Sequence, residues 1–206
     1  NRAKQYLEEL GCEVWLNTGV FKYDGLIAET KTGKQLYTLN LVWAAGIKGA
    51  LIVGLSTESS NKRGRILTDE FCKVKGYKNI FAIGDVACMV QGKFPNGHPQ
   101  VAPVAIQQAQ LIAKNFRKTE AQSLPDKFSY FDKGTMATIG RNRAVVEVGK
   151  IKFGGVFGWL AWMGLHLMLL VGFRNKIKLA FSWFWSFITN DPTLRLIIRP
   201  RREDMK

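Results

Sequence analysis

Apolar and polar residues along the first fifty positions follow spacings that predict one helix and several strands. Apolar side chains recur at helical intervals over residues 2–10, and Gly11 follows at the position where glycine often ends a helix. Strands are predicted over residues 13–16, 20–29 and 39–43, with a turn over residues 31–34. One helix followed by several strands indicates the closing part of a βαβ domain.

The middle of the chain predicts a strand that ends abruptly, a polar loop and a helix. The continuous apolar run of residues 80–83 has the length and β-branching of a buried strand and stops at Gly84-Asp85. A polar loop spans residues 92–100, and a helix is predicted from Ala102 to about residue 116, with Pro103 where its missing N–H costs nothing. Further strands are predicted over residues 64–69, 136–139 and 144–148.

The last quarter has a different pattern. Residues 153–173 contain no charged side chain over 21 positions, and the basic residues Arg174, Lys176 and Lys178 follow directly. The run is long enough for a membrane span of about 20 residues, but five glycines interrupt it. Residues 177–188 are amphipathic and too short to cross back. Two surface-lying helices joined by a basic corner are therefore predicted, with membrane contacts at Trp159, Trp162, Arg174, Lys176, Lys178, Trp183 and Trp185.

Charge supports a lipid partner. The formal net charge is +14, and half of it lies in residues 150–206, where basic residues alternate with Trp, Phe and Leu. This mixture favours an anionic lipid surface over nucleic acid, because a nucleic-acid groove rarely needs a long apolar run beside it. The three cysteines show no metal-ligand spacing and indicate reduced thiols in the cytosol, so no metal site is expected.

Gly84 and Asp85 are the first candidates for chemistry. A strand that ends in Gly-Asp brings a carboxylate to the carboxyl edge of a sheet, where α/β folds bind ligands. Gly84 allows close approach of a ligand, and Asp85 can accept a hydrogen bond from a sugar-like hydroxyl. A plain turn in which Asp85 caps the loop fits these two residues equally well.

Several segments resemble one family in the order of the chain. Ile83-Gly84-Asp85 is similar to the FAD motif of flavoproteins with two dinucleotide-binding domains, in which the Asp holds the ribityl chain. Residues 100–109 resemble the flavin and quinone motif of type II NADH dehydrogenases, although Pro103 stands where the family has its first Gln. Residues 38–46 and 133–145 resemble the family's nicotinamide-side turn and the segment whose Lys lies beside the flavin.

The resemblance implies the following contacts. FAD would be held by Gly84, Asp85, Ala102, Pro103, Val104 and Lys133; NADH would pass Ala44, Ala45 and Gly46; and Pro103, Ile106 and Gln107 would face the quinone or brace the flavin. The positive end of the helix dipole, aimed at the flavin, would stabilise the negative charge of its reduced form.

The expected fold class is α/β: the C-terminal parts of two Rossmann-like dinucleotide-binding domains, followed by an α-helical membrane-anchoring tail. Residues 1–50 would end the NADH-binding domain, residues 51–150 would belong to the FAD-binding domain, and residues 151–206 would form the anchoring helices. The chain starts with Asn1 and contains no G-x-G-x-x-G turn after a strand. We therefore expect both phosphate-binding loops upstream, and no turnover by these 206 residues alone.

The implied reaction carries electrons from NADH through FAD to a membrane quinone without proton pumping, on the cytoplasmic face of a membrane. A homodimer is left open. Two alternatives remain at this stage. One is a soluble FAD-dependent pyridine-nucleotide reductase such as a ferredoxin reductase, which has no reason to carry the aromatic and basic tail. The other is a non-catalytic membrane-docking module.

Overall fold

The structure of the chain, a computed structural model, describes residues 2–50, 52–170 and 172–189, with the side chains of residues 186 and 187 left out. The chain divides into two compact units. One is Asn17–Lys133, and the other combines Asn1–Leu16 with Gly134–Lys206. The division of the sequence into domains at residues 50 and 150 stays a prediction.

The elements confirm the expected mixture of helices and strands. In chain order they are α1 (Arg2–Glu9), β1 (Val20–Tyr23), β2 (Ile27–Thr30), β3 (Gln35–Tyr37), β4 (Ile66–Thr68), β5 (Ala87–Met89), α2 (Ala102–Glu120), β6 (Thr135–Thr138), β7 (Ala144–Val148), β8 (Ile151–Gly154), α3 (Gly155–Leu169) and α4 (Phe173–Thr189). Two short 3-10 helices, Thr57–Ser59 and Gly84–Val86, lie before β4 and before β5.

Helix α1 ends at the predicted place. Gly11 has a φ of +85°, a conformation that glycine adopts without the steric cost of a Cβ atom. Its N–H donates to the Glu8 carbonyl at 2.9 Å, and the Cys12 N–H donates to the Leu7 carbonyl at 3.0 Å. These two hydrogen bonds form a Schellman cap, which satisfies carbonyls that the end of a helix leaves free.

The single strand predicted over residues 20–29 is a hairpin instead. Strands β1 and β2 pair antiparallel, and β3 continues the sheet on the other side of β2. The turn forms because the Asp24 carboxylate accepts hydrogen bonds from the N–H groups of Ile27 at 2.7 Å and Leu26 at 2.8 Å. These bonds lower the pKa of Asp24. The predicted turn over residues 31–34 is confirmed between β2 and β3.

The strands predicted over residues 13–16 and 39–43 are absent, so both predictions were wrong. A strand needs a neighbour that supplies hydrogen-bonding partners, and neither segment pairs with another strand within the part of the chain that the structure describes. The large apolar side chains of residues 39–43 therefore stay mostly exposed: Val42 is 89% exposed and Trp43 is 63% exposed. An apolar run alone does not establish a strand.

The regular strand predicted over residues 80–83 is absent, so this prediction was wrong. Only Phe81 makes a bridge, to Lys73, and the regular strand β5 begins after the Gly84–Val86 turn. Strand β5 pairs parallel with β4, with Ile66 opposite Ala87 and Thr68 opposite Met89. The strand predicted over residues 64–69 is thereby confirmed as β4, and the Gly-Asp turn precedes β5 where the prediction had it follow the strand.

Two apolar clusters lie inside the Asn17–Lys133 unit. One joins β4 and β5 through Ile66, Val74, Ala82 and Ala87. The other lies between β5 and α2 and consists of Cys72, Met89, Val104 and Phe128. Burial raises the pKa of the Cys72 thiol to about 12, with a further contribution from Asp69, so this thiol stays neutral and packs as an apolar group. The second cluster fixes α2 against β5.

The other unit is built around the antiparallel sheet β6-β7-β8, which confirms both predicted strands in this region. Helix α3 packs on β7, where the buried Gly158 lies so close that a Cβ atom would stand 3.0 Å from the Ala144 carbonyl oxygen. Helix α1 belongs to this unit. Arg143 lies over the Tyr6 ring and pairs with Glu9 at 3.1 Å, a partly exposed contact that contributes little stability.

Two helices follow this sheet, as the sequence predicts. Helices α3 and α4 touch through stacked Trp162 and Trp183 rings with centroids 5.8 Å apart. Among the described residues, no helix combines the length and the apolar character that crossing a membrane requires. Residues 190–206, the end of the predicted anchoring segment, lie outside the described residues.

Candidate functional site

The Gly84-Asp85 turn packs against the first half of helix α2. Gly84 has a φ of +68°, and a Cβ atom added there would stand 3.1 Å from the Cβ atom of Ala105. The site therefore requires glycine for two reasons, its backbone conformation and the close approach of α2. The turn opens a 3-10 helix whose preceding residue, Ile83, supplies no side-chain cap.

Two glutamine side chains hold the peptide groups of this turn. Gln108 is 1% exposed, and its Oε1 accepts a hydrogen bond from the Gly84 N–H at 2.7 Å. Gln100, which lies just before α2, donates from Nε2 to the Asp85 carbonyl oxygen at 3.0 Å. The Asp85 residue itself is exposed. The backbone of the turn is thus tied to α2 and its leading segment, and the exposed carboxylate is left to meet a ligand.

Helix α2 begins at Ala102, as predicted, with Pro103 in its first turn. Val101 precedes it without a capping side chain, and the N–H groups of Val104 and Ala105 donate to the Val101 carbonyl at 3.1 and 3.5 Å. Because Pro103 has no N–H, the first turn of α2 offers fewer free N–H donors than a helix without proline would. The start of α2 can therefore stabilise a negative charge mainly through the helix dipole.

Gln107 and Ile106 lie one turn further into α2. The Gln107 amide brackets the Phe131 backbone: Nε2 donates to the Phe131 carbonyl at 3.0 Å, and Oε1 accepts from the Phe131 N–H at 2.9 Å. This bracket fixes the segment that leads into the exposed Lys133. Ile106 is 57% exposed. Of the two side chains, Ile106 is the one that can contact a ligand, because the Gln107 amide is engaged in holding the segment before Lys133.

Asn115 makes a second bracket on the same helix. Its Oδ1 accepts from the Asp126 N–H at 2.8 Å, and its Nδ2 donates to the Asp126 carbonyl at 2.9 Å. Hydrogen bonds from Lys114 and Lys118 lower the pKa of the Asp126 carboxyl. The segment from residue 126 to residue 131 is therefore fixed along α2 at both ends.

A buried polar cluster supports the loop that leads into α2. Arg65, 7% exposed, donates to the Ala87 carbonyl and, at 3.0 Å, to the His98 carbonyl. His98, 2% exposed, lies 3.0 Å from Gln91 through Nε2, and its Nδ1 is a buried atom without a hydrogen-bond partner among the described residues. Its ring packs against Phe94 and Phe128. These contacts hold the loop just ahead of Gln100.

This cluster predicts that stability falls in mild acid. Burial, and then the Arg65 charge, lower the pKa of His98 below its ordinary 6.5. The unfolded chain then binds a proton at a higher pH than the folded chain does, so stability is full above about pH 6.5 and declines as the pH falls towards the lower pKa of the folded state. His98→Phe, which keeps an aromatic ring, should flatten this decline in denaturant unfolding measured at several pH values. An equal slope in wild type and His98→Phe would contradict the assignment.

The remaining predicted residues lie elsewhere. The predicted nicotinamide-side residues are exposed and belong to no helix or strand; they are Ala44, Ala45 and Gly46. Their proximity to a nicotinamide stays a prediction. The predicted membrane contacts belong to α3 and α4, in the unit that contains the β6-β7-β8 sheet. Lys176 donates to the Met168 carbonyl at 3.0 Å, near the end of α3.

Sequence reasoning missed Gln108, Gln100, Arg65 and His98. One signal could have found Gln108: it occupies the same stripe of α2 as the buried Val104, and a polar residue in a buried stripe needs a hydrogen-bond partner. For Arg65 and His98 no comparable signal exists, because their partners are backbone carbonyls and rings from separate segments.

Comparisons with known proteins agree on one family. Residues 1–109 match the model of the family described as pyridine nucleotide-disulphide oxidoreductase. The type II NADH:quinone oxidoreductase NdhA of Mycobacterium tuberculosis is 38% identical over 200 residues, which cover 91% of this chain and 41% of that protein. The type II NADH:quinone oxidoreductase of Staphylococcus aureus is 34% identical over 148 residues, which cover 70% of this chain and 37% of that protein. The chain thus spans about two fifths of the length of these curated relatives.

A solved structure confirms the fold. NDH2 from Plasmodium falciparum, solved in complex with NADH, superposes with a TM-score of 0.74 at 18% sequence identity. The match covers 96% of this chain and 55% of that one.

Proposed function

Since the chain belongs to the pyridine nucleotide-disulphide oxidoreductase family and is similar to type II NADH:quinone oxidoreductases, we propose that it serves NADH:quinone electron transfer. In this proposal electrons pass from NADH through FAD to a membrane quinone, and no protons are pumped. Residues 1–50 belong to the NADH-binding domain, residues 51–150 contribute the C-terminal part of the FAD-binding domain, and residues 151–206 attach the enzyme to the membrane.

The Gly84-Asp85 turn fits FAD. Gly84 has a left-handed backbone and lacks the Cβ atom that would press on Ala105, so the turn packs directly against helix α2 and is held there beside Asp85. Asp85 is exposed beside it and can accept a hydrogen bond from a ribityl hydroxyl. The observation that carries the proposal is an exposed Asp85 carboxylate on a glycine turn that packs directly against the first turns of α2.

The residues of the chain bind and orient the cofactor. FAD, when bound, would supply the redox chemistry of hydride acceptance and two-electron transfer. Asp85 would hold the ribityl chain, and Ala102, Pro103 and Val104 at the positive end of the α2 dipole would favour negative charge on the ring. Lys133, which follows the segment held by the Gln107 bracket, would add a positive charge near the flavin.

The two substrates meet different parts of the chain. The small residues Ala44, Ala45 and Gly46 leave room for the flat nicotinamide ring. Pro103 and the exposed Ile106 offer an apolar face to the quinone, and Gln107 supports this face from within the helix. The Gln107 amide is engaged by the Phe131 backbone, which makes Ile106 the better candidate for direct quinone contact.

Helices α3 and α4 are proposed to lie on an anionic lipid surface. Both expose large apolar side chains, among them Phe157 at 79%, Met168 at 76% and Phe173 at 78%. Exposed aromatic and aliphatic residues beside Arg174 and Lys178 are typical of interfacial helices. A position at the membrane surface brings a lipid-soluble quinone to the enzyme. We place the enzyme on the cytoplasmic face, because its other substrate, NADH, is found in the cytoplasm.

The experiment that tests the proposed function uses the flavoprotein that contains these residues. NADH should reduce its bound FAD, and a quinone should reoxidise it faster than ferredoxin does. Faster reoxidation by ferredoxin would favour a soluble reductase instead, and the absence of bound flavin would favour a docking module. The relatives named above are quinone reductases, which favours the quinone.

A further inference from the structure

Gln108 is a buried polar residue that the proposed reaction does not yet use. It lies on α2 with a side chain 1% exposed, and its Oε1 accepts the Gly84 N–H at 2.7 Å. The two residues are 24 positions apart in sequence. A buried amide in a helix stripe destabilises the core unless its hydrogen bonds are made, so this contact accounts for the glutamine at this position.

The contact caps the 3-10 helix that carries Asp85. The first N–H groups of a helix have no partner within it, and Ile83 offers no capping side chain. Gln108 supplies the missing acceptor from a different element. The cap holds Gly84 at its φ of +68°, in contact with Ala105 one turn earlier on α2.

Gln100 holds the other side of the same turn. Its Nε2 donates to the Asp85 carbonyl at 3.0 Å, so consecutive residues of the turn are tied to side chains before and within α2. The Asp85 backbone cannot shift relative to the α2 N-terminus without breaking one of these bonds. The proposed ribityl contact and the proposed dipole contact are therefore held at a fixed spacing.

We propose that Gln108 is a positioning residue that couples the FAD-binding turn to helix α2, so that Asp85 and the α2 N-terminus bind the flavin as one body. The inference rests on the proposed function, because it assigns Gln108 a role towards FAD. Gln108 touches neither FAD nor substrate in this account; it acts through Gly84.

The test compares three variants of the flavoprotein for FAD affinity, measured from the fluorescence of released flavin. Gln108→Met keeps the length of the side chain and removes the acceptor, and we expect the Kd for FAD to rise about tenfold. Gln108→Glu keeps an acceptor and should restore the Kd to within about threefold of wild type. Gln110→Met changes an exposed glutamine of the same helix and should leave the Kd unchanged.

A purely structural role would give a different pattern. If Gln108→Met lowers the unfolding midpoint but binds FAD as wild type does, or if Gln108→Glu is as weak as Gln108→Met, the inference is overturned. If Gln108→Met does not fold, hydrogen exchange of wild type without FAD decides. The Gly84 amide hydrogen is expected to exchange slowly. Exchange at the rate of an unprotected amide would overturn the inference. Wild type that binds no FAD would overturn the proposed function itself, while the Gly84 exchange measurement would still test the cap.

Discussion

Gly84→Ala is expected to weaken FAD binding by about 10- to 100-fold. Holding a non-glycine residue in the left-handed conformation costs about 1–2 kcal/mol, and the new Cβ atom would also press on Ala105 at 3.1 Å. Relief of this contact requires the turn to move away from α2, which displaces Asp85. The Kd for FAD, measured by flavin fluorescence, reports the displacement.

Gly76→Ala is the matched control for this prediction. Gly76 also has a left-handed backbone, with a φ of +87°, but a Cβ atom there meets nothing within 4 Å. Gly76→Ala should lower the free energy of unfolding by a similar amount, because it introduces the same backbone strain, and should leave FAD affinity unchanged. Equal FAD affinity in wild type and Gly84→Ala would show that the turn does not hold the flavin.

Replacing Arg174 and Lys178 by glutamine is expected to weaken binding to anionic vesicles by about 30-fold. Both residues are exposed on α4, next to the apolar side chains proposed to enter the lipid surface. A basic residue near an anionic membrane contributes about 1 kcal/mol, so two contribute about 2 kcal/mol at low salt. Sedimentation with phosphatidylserine vesicles measures the loss, which should shrink as salt is added.

The control removes two exposed charges elsewhere. Lys62→Gln with Lys93→Gln lowers the net charge equally but alters the Asn17–Lys133 unit. If membrane binding depends on α4, this pair should bind vesicles almost as wild type does. An equal loss in both double variants would mean that overall charge, and not the α4 surface, attracts the protein to lipid.

Local signals in the sequence predicted the elements that depend on neighbouring residues. The start of α2 at Ala102 follows from Pro103 and the preceding polar loop, and the end of α1 follows from Gly11. The turn at Gly84-Asp85 was found as a functional candidate because its residue types suit a ligand, whatever strand precedes it.

Features that depend on distant partners could not be predicted in the same way. The apolar run of residues 80–83 has the composition of a buried strand, yet of these residues Phe81 alone forms a bridge, to Lys73. The strand that pairs with β4 is the separate segment Ala87–Met89, because a strand forms only where a neighbour offers backbone hydrogen-bonding partners. The cap between Gln108 and Gly84 joins residues that only the packing of α2 brings together. Residues 39–43 have the composition of a strand without a strand partner in the described structure.

The proposed transfer of electrons from NADH through FAD to a quinone can be followed in an anaerobic titration of the flavoprotein on lipid vesicles. NADH should bleach the visible absorption of oxidised flavin, and a membrane quinone added afterwards should restore it in full. Asp85→Ala should bind FAD more weakly and give a correspondingly smaller signal. A protein that holds FAD but is neither bleached by NADH nor restored by quinone would contradict the proposed function.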